Sequence, residues 1–121
     1  MITSVHTLIY ADDAVAARAF FRDVLGWPHV GEGGGWLIFK TGPSELGVHP
    51  TGQGDWSTTQ HHEVTLMCDD IAATVANLKS KDVGFSKEIS DEGFGLTAMM
   101  TVPGAGDMML YQPKHAMAYD L

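Results

Sequence analysis

A chain of 121 residues, 45% hydrophobic and 18% charged, has the length of one folded domain and too much apolar content to stay disordered. Its 15 Asp and Glu against 7 Lys and Arg leave a net charge of -8, which repels phosphate backbones and anionic lipid, so nucleic acid and membrane surfaces are not expected partners. Met1-Ile2-Thr3-Ser4 has neither the basic start nor the apolar run of a secretory leader, and the expected location is the cytoplasm.

The first element is a strand over Val5 to Tyr10, in which Val5, Thr7 and Ile9 alternate with His6, Leu8 and Tyr10. Asp12-Asp13 then precedes a helix, because Ala17, Phe20, Phe21, Val24 and Leu25 recur at helical period and a carboxylate suits an N-cap. Gly26 is placed to stop that helix, with Trp27 packing under its end. Three strand-like runs follow: Pro28 to Gly31, Trp36 to Lys40 and Glu45 to His49. The glycines of Gly31-Glu32-Gly33-Gly34-Gly35 lack the Lys-Ser/Thr of a phosphate loop and lead into a strand, which makes them a hairpin turn. Thr51 to Gln60 has no period and reads as a linker, placing Trp56 where a lid would sit.

Beyond the linker the pattern repeats. His6 to Asp13 superimposes on Glu63 to Asp70 at an offset of 57, each a β-rich run ending in two aspartates. Ile71, Val75 and Leu78 mark the second helix, Gly84 its expected stop, and the last strands are Phe85 to Ile89, Leu96 to Val102 and Met108 to Gln112. The single cysteine, Cys68, excludes an internal disulfide and reads as an inert strand thiol. The expected architecture is α+β: two tandem β-α-β-β-β modules, about 4–50 and 61–113, forming a cupped mixed sheet with helices on its outer face, in one domain over 1–121.

These residues carry a resemblance. Phe20-Phe21-Arg22-Asp23-Val24-Leu25-Gly26-Trp27 resembles a helix end of the vicinal oxygen chelate superfamily, which contains glyoxalase I, extradiol dioxygenases, fosfomycin-resistance enzymes and bleomycin-resistance proteins. Met67-Cys68-Asp69-Asp70-Ile71 is similar to its second-half turn, and Pro103-Gly104-Ala105-Gly106-Asp107 to its final hairpin. The likeness runs from Val5 through Pro113.

The resemblance implies metal ligands at four strand positions, here taken as His6, His49, Glu63 and Leu110. Strand parity puts His61, Glu63, Thr65 and Met67 on the cleft side and Val64, Leu66 and Cys68 on the helix side. Two imidazoles and a carboxylate suit Fe(II), Mn(II), Ni(II), Co(II) or Zn(II), leaving positions open for adjacent substrate oxygens. On this reading His6, His49 and Glu63 bind the metal, Glu63 and Tyr10 serve the chemistry, and the reaction is a lyase, isomerase or dioxygenase step. Two departures stand out: Glu63 replaces the more usual histidine, and Leu110 replaces a glutamate.

The alternative is a metal-free protein of the bleomycin-resistance type that binds a small molecule with Trp and Tyr surfaces, its acidity suiting a cationic ligand. A third reading is a dimeric regulatory module without a small ligand. The resemblance also implies a homodimer. His29, His61, His62 and His115 read as exposed, and Asp91-Glu92 as a solvated turn. Met99, Met100, Met108 and Met109 read as core or dimer contact.

Overall fold

The computed structural model describes residues 7, 9, 11–31, 37–45, 51–116 and 120. Both aspartate pairs start helices. In α1 (Ala14–Ala19) the Asp13 carboxylate accepts the Ala16 N–H at 3.0 Å. In α2 (Ile71–Ser80) the Asp70 carboxylate accepts the Ala73 N–H at 3.0 Å. Donor and acceptor are each displaced by 57, so the repeat reaches down to a single cap bond. Each carboxylate satisfies an N–H that has no partner inside its helix.

Helix α1 runs on into a wider π-helical turn over Phe20–Val24, closed by the Leu25 N–H donating to Phe20 O at 3.2 Å. Gly26 then takes φ +68°, a conformation costly for any residue with a Cβ. As expected, Trp27 folds under the helix end, stacked on Phe21 at 5.1 Å between ring centres.

Helix α2 stops before Gly84. Asp82 occupies the left-handed position at φ 62°, its N–H donating to Lys79 O at 3.0 Å, and the Val83 N–H donates to Leu78 O at 3.1 Å. These two bonds close the last carbonyls, and the flanking Val83 and Leu78 side chains both join the core. The chain has reversed before Gly84 is reached, so that glycine is not the stop.

In the first half, β1 (His29–Gly31) and β2 (Leu37–Phe39) pair antiparallel around the glycine-rich segment, as a hairpin requires. The expected linker contains structure of its own. There β3 (Gly52–Gln53) pairs antiparallel with β4 (Trp56–Ser57), and Gly54 turns between them at φ +61°. The second half is a four-stranded sheet of β5 (Thr65–Met67), β6 (Phe85–Asp91), β7 (Gly95–Val102) and β8 (Gly106–Pro113). Its order is β5-β8-β7-β6, with β5 parallel to β8 and the other pairs antiparallel. The β-α-β-β-β order of the second module is thus present, with α2 carrying the chain between the two edge strands.

Helices from both halves cover one face of this sheet. Ala17 and Phe20 to Phe21 from the first half pack in one cluster with Ile71, Val75 and Leu78 of α2, Ala98, Met100 and Val102 of β7, and Met108 and Leu110 of β8. Burying each of the large side chains contributes about 1.5–3 kcal/mol. The halves are also joined by polar bonds. Asp13 N–H donates to Gly104 O at 3.0 Å, and Lys81 Nζ donates to Val24 O at 3.1 Å. Among the described residues no helix is long and apolar enough to cross a membrane.

Candidate functional site

The helix-covered face is accounted for by the core, which leaves the opposite face of the sheet, half-buried at Met67, Met99, Met109 and Tyr111 and open only in the sense that no described helix packs on it. Parity assigns its residues. Val64, Leu66 and Cys68 pack against the core as expected, so Thr65 and Met67 point the other way. In β8, Met108 and Leu110 are buried in the core, and Met109 and Tyr111 alternate with them. In β7, Ala98, Met100 and Val102 are core residues, leaving Thr97 and Met99 on the open side. Register sets these side chains beside one another: Thr65 pairs with Met109, Met67 with Tyr111, Met109 with Met99, and Tyr111 with Thr97. On this face three thioethers and one phenol ring therefore lie side by side with the hydroxyls of Thr65 and Thr97.

This overturns one expectation. Leu110, taken as the fourth ligand position, is 3% exposed and stands opposite Leu66 on the helix side. Its outward neighbours are Met109 and Tyr111, a thioether and a phenol.

Of the other expected site residues, His6, Tyr10 and His49 lie outside the described residues, as does Trp36. Glu63 is exposed just before β5, with Thr65 Oγ1 donating to its Oε1 at 3.5 Å. Among the described residues no group of three or more His, Cys, Asp or Glu stands close enough to hold a metal ion. Of the three expected ligands only Glu63 falls among the described residues. His61 and His62 are exposed, as is Trp56 on the β3–β4 hairpin.

Two features of the open face were not legible in the sequence. Thr97 is 1% exposed, and among the described residues its hydroxyl has no hydrogen-bond partner. Such a group costs about 1–3 kcal/mol unless something meets it. The second is an aromatic cluster at one end of the face. Tyr111 lies 5.8 Å from Phe94 and 5.8 Å from His115 between ring centres. Its ring passes over Gly95, where an added Cβ would collide with Tyr111 Cε2. Burial first, and then the charge of Glu45, pushes the Tyr111 phenol above its ordinary range, so it is a hydrogen-bond donor rather than a phenolate. The nearby turn is tied down by ion pairs, Lys114 to Asp91 at 2.7 Å and Lys87 to Glu92 at 2.8 Å.

On the helix side a groove of about 430 Å³ separates the end of the first helix from α2, with Cys68 in its lining. Burial pushes the Cys68 thiol up, and Sγ donates to Tyr111 O at 3.7 Å. The thiol packs against the core, where burial disfavours its thiolate form.

A family model described as the Glyoxalase/Bleomycin resistance protein/Dioxygenase superfamily matches residues 3–114. No curated protein matches the chain. Among solved structures, a lactoylglutathione lyase from Agrobacterium tumefaciens aligns with TM-score 0.64 at 18% identity, over 91% of this chain and 92% of that one. The antibiotic-binding protein TnmS3 from Streptomyces sp. CB03234 aligns with TM-score 0.63 at 22% identity, over 94% and 99%. A member of the same superfamily from Sphaerobacter thermophilus aligns with TM-score 0.61 at 17% identity, over 92% and 98%. At these identities the likeness is one of fold.

Proposed function

The chain belongs to the Glyoxalase/Bleomycin resistance protein/Dioxygenase superfamily, and from that premise we propose that it is a small-molecule binding protein whose ligand lies on the open face of the β5–β8 sheet. The observation that carries this reading is the patch of Met67, Met99, Met109 and Tyr111 brought together by register. Thioethers are polarizable and adaptable, and a phenol adds a flat face with one donor, which together suit an aromatic ligand. The likeness to an antibiotic-binding protein agrees with this reading. The proposal includes assembly as a homodimer and a cytoplasmic location.

A fluorescence titration with the neutral aromatic probe N-phenyl-1-naphthylamine tests it. Saturable binding is expected, and Met109→Glu should weaken it about tenfold, near 1.4 kcal/mol, by burying a charge against the ligand. Absence of saturable binding, or equal binding by the folded variant, overturns the reading.

A second reading is favoured by Glu63, which shares strand parity with Thr65 and Met67 and is open to solvent. In it His6, His49 and Glu63 hold a divalent metal, which would supply Lewis-acid polarisation of adjacent substrate oxygens, and Tyr10 holds a proton beside them. The lyase, isomerase or dioxygenase class belongs to this reading. Stoichiometric metal in untagged protein, lost in His49→Ala, would establish it; no uptake after incubation with Ni(II), Mn(II) or Fe(II) removes it.

A further inference from the structure

Thr65, Thr97 and Thr101 share the open face, and their hydroxyls fare differently. Thr101 Oγ1 donates to Asp107 Oδ1 at 3.1 Å, and Thr65 Oγ1 donates to Glu63 Oε1 at 3.5 Å. Thr97 is 1% exposed, and among the described residues its hydroxyl has no hydrogen-bond partner. Register names the side chains around it. Ser90 stands opposite on β6, but its hydroxyl donates to Glu92 Oε1 at 2.8 Å. Tyr111 stands opposite on β8, its ring tipped over Gly95. Along β7 itself the neighbours on this face are Gly95, which has no side chain, and the Met99 thioether.

What is missing at Thr97 is an acceptor. A hydroxyl carries one hydrogen and two lone pairs, and native folds leave buried donors unmet more rarely than they leave acceptors under-used. Thr65 and Thr101 both give their hydrogen to oxygen. A water in that place would need several polar partners of its own, and the described neighbours offer apolar surface and one hydroxyl already engaged. A ligand carboxylate would set an unpaired charge against half-buried thioethers, in a chain whose net charge is already -8. A neutral carbonyl oxygen meets neither objection.

We propose that Thr97 Oγ1 is the polar anchor of the open face, donating to a neutral carbonyl oxygen on an aromatic ligand, in the class of aryl ketones and quinones. This rests on the reading of that face as a ligand surface. The ligand's ring lies on Met99, Met109 and Tyr111, which register places side by side. Its carbonyl turns down to Thr97 where the Met99 thioether, unbranched and flexible, gives way. Shielded from water, such a hydrogen bond is stronger than one at the surface. A ligand that supplies the missing acceptor is thereby selected over its hydrocarbon analogue.

Acetophenone and α-methylstyrene share one shape, with oxygen in the first where the second has a methylene. Titrating the full chain with each, by ligand-observed NMR, gives the ratio of their Kd values. Thr97→Val keeps the shape of the side chain and should move that ratio about fivefold toward the hydrocarbon. Thr97→Ser keeps the hydroxyl and should hold the ratio near that of the unaltered protein. The infrared carbonyl stretch of acetophenone bound to the unaltered protein should lie below its position in hexane, and return to that position in Thr97→Val. A ratio unchanged by folded Thr97→Val overturns the proposal, as does a hexane-like stretch in the unaltered protein. Where either result comes with both probes weakened by folded Met109→Glu, the open face still stands as a ligand surface. Binding that folded Met109→Glu does not weaken, or no binding of either probe by the unaltered protein, overturns the face and the anchor together.

Discussion

Two residues of the open face make opposite demands on the fold. Thr97 holds a hydroxyl away from water with no partner among the described residues, at the register position beside Tyr111. Valine has the same shape without the hydroxyl, so Thr97→Val should stabilise the protein by about 1 kcal/mol and raise Tm by roughly 4 °C. A lower Tm would show that the hydroxyl is already bonded; weaker probe binding at unchanged Tm would place it against the ligand. Gly95 demands the reverse. A Cβ there would meet both the Tyr111 ring and, at 2.6 Å, the Gln112 carbonyl, which is strand backbone and cannot step aside. Gly95→Ala should therefore cost about 2 kcal/mol in urea unfolding and loosen Tyr111, weakening the aromatic probe at the same time. Stability unchanged by that substitution would mean that the ring is not pinned.

At the scale of elements, what obeys local rules was readable and what depends on return paths was not. The two caps follow from an aspartate pair before an apolar helical period, and the bonds of Asp13 to Ala16 and Asp70 to Ala73 confirm them. Asp13→Ala and Asp70→Ala should each cost about 1 kcal/mol, and the double variant their sum, because the caps share no partner. A sum well short of that would mean the helices are coupled through the shared core. The stop of α2 was misread because the left-handed residue is Asp82, not a glycine. Asp82→Gly should gain a few tenths of a kcal/mol by removing the strained Cβ. Leu110 was misplaced for a different reason: motif order located the strand, but only the β5–β8 register says which way each side chain turns, and one residue flips the face. The β3–β4 hairpin has two residues per strand, too few to leave a pattern. His115 and Glu45 meet only because the segment after β8 returns toward the end of β2, and no periodicity announces such a return. His6, Tyr10 and His49 lie outside the described residues.

For the molecule as a whole, the net charge of -8 decides how salt and acid act. The Arg22–Asp23, Lys79–Glu88, Lys87–Glu92 and Lys114–Asp91 pairs span 2.7–2.8 Å, shorter than any Debye length in ordinary buffer. Repulsion among the excess carboxylates acts over larger separations, which salt does screen. Three of these pairs also depress their carboxylates: hydrogen bonds from Arg22, Lys114 and Lys87 hold Asp23, Asp91 and Glu92 below the usual range. Depressed folded-state values mean that this stabilisation is present above the ordinary carboxylate range and is lost as pH falls through the lowered values. These groups are solvent-exposed, so each pair contributes little. Screening should therefore relieve more repulsion than it removes attraction. Raising NaCl from about 0.02 M to about 0.5 M at neutral pH should lift Tm by a few degrees, since the Debye length contracts to a few ångströms. KCl should do the same, because the effect is one of ionic strength and not of a bound ion. A fall in Tm in either salt would mean that the short pairs, and not the distributed negative charge, dominate the electrostatics of the fold.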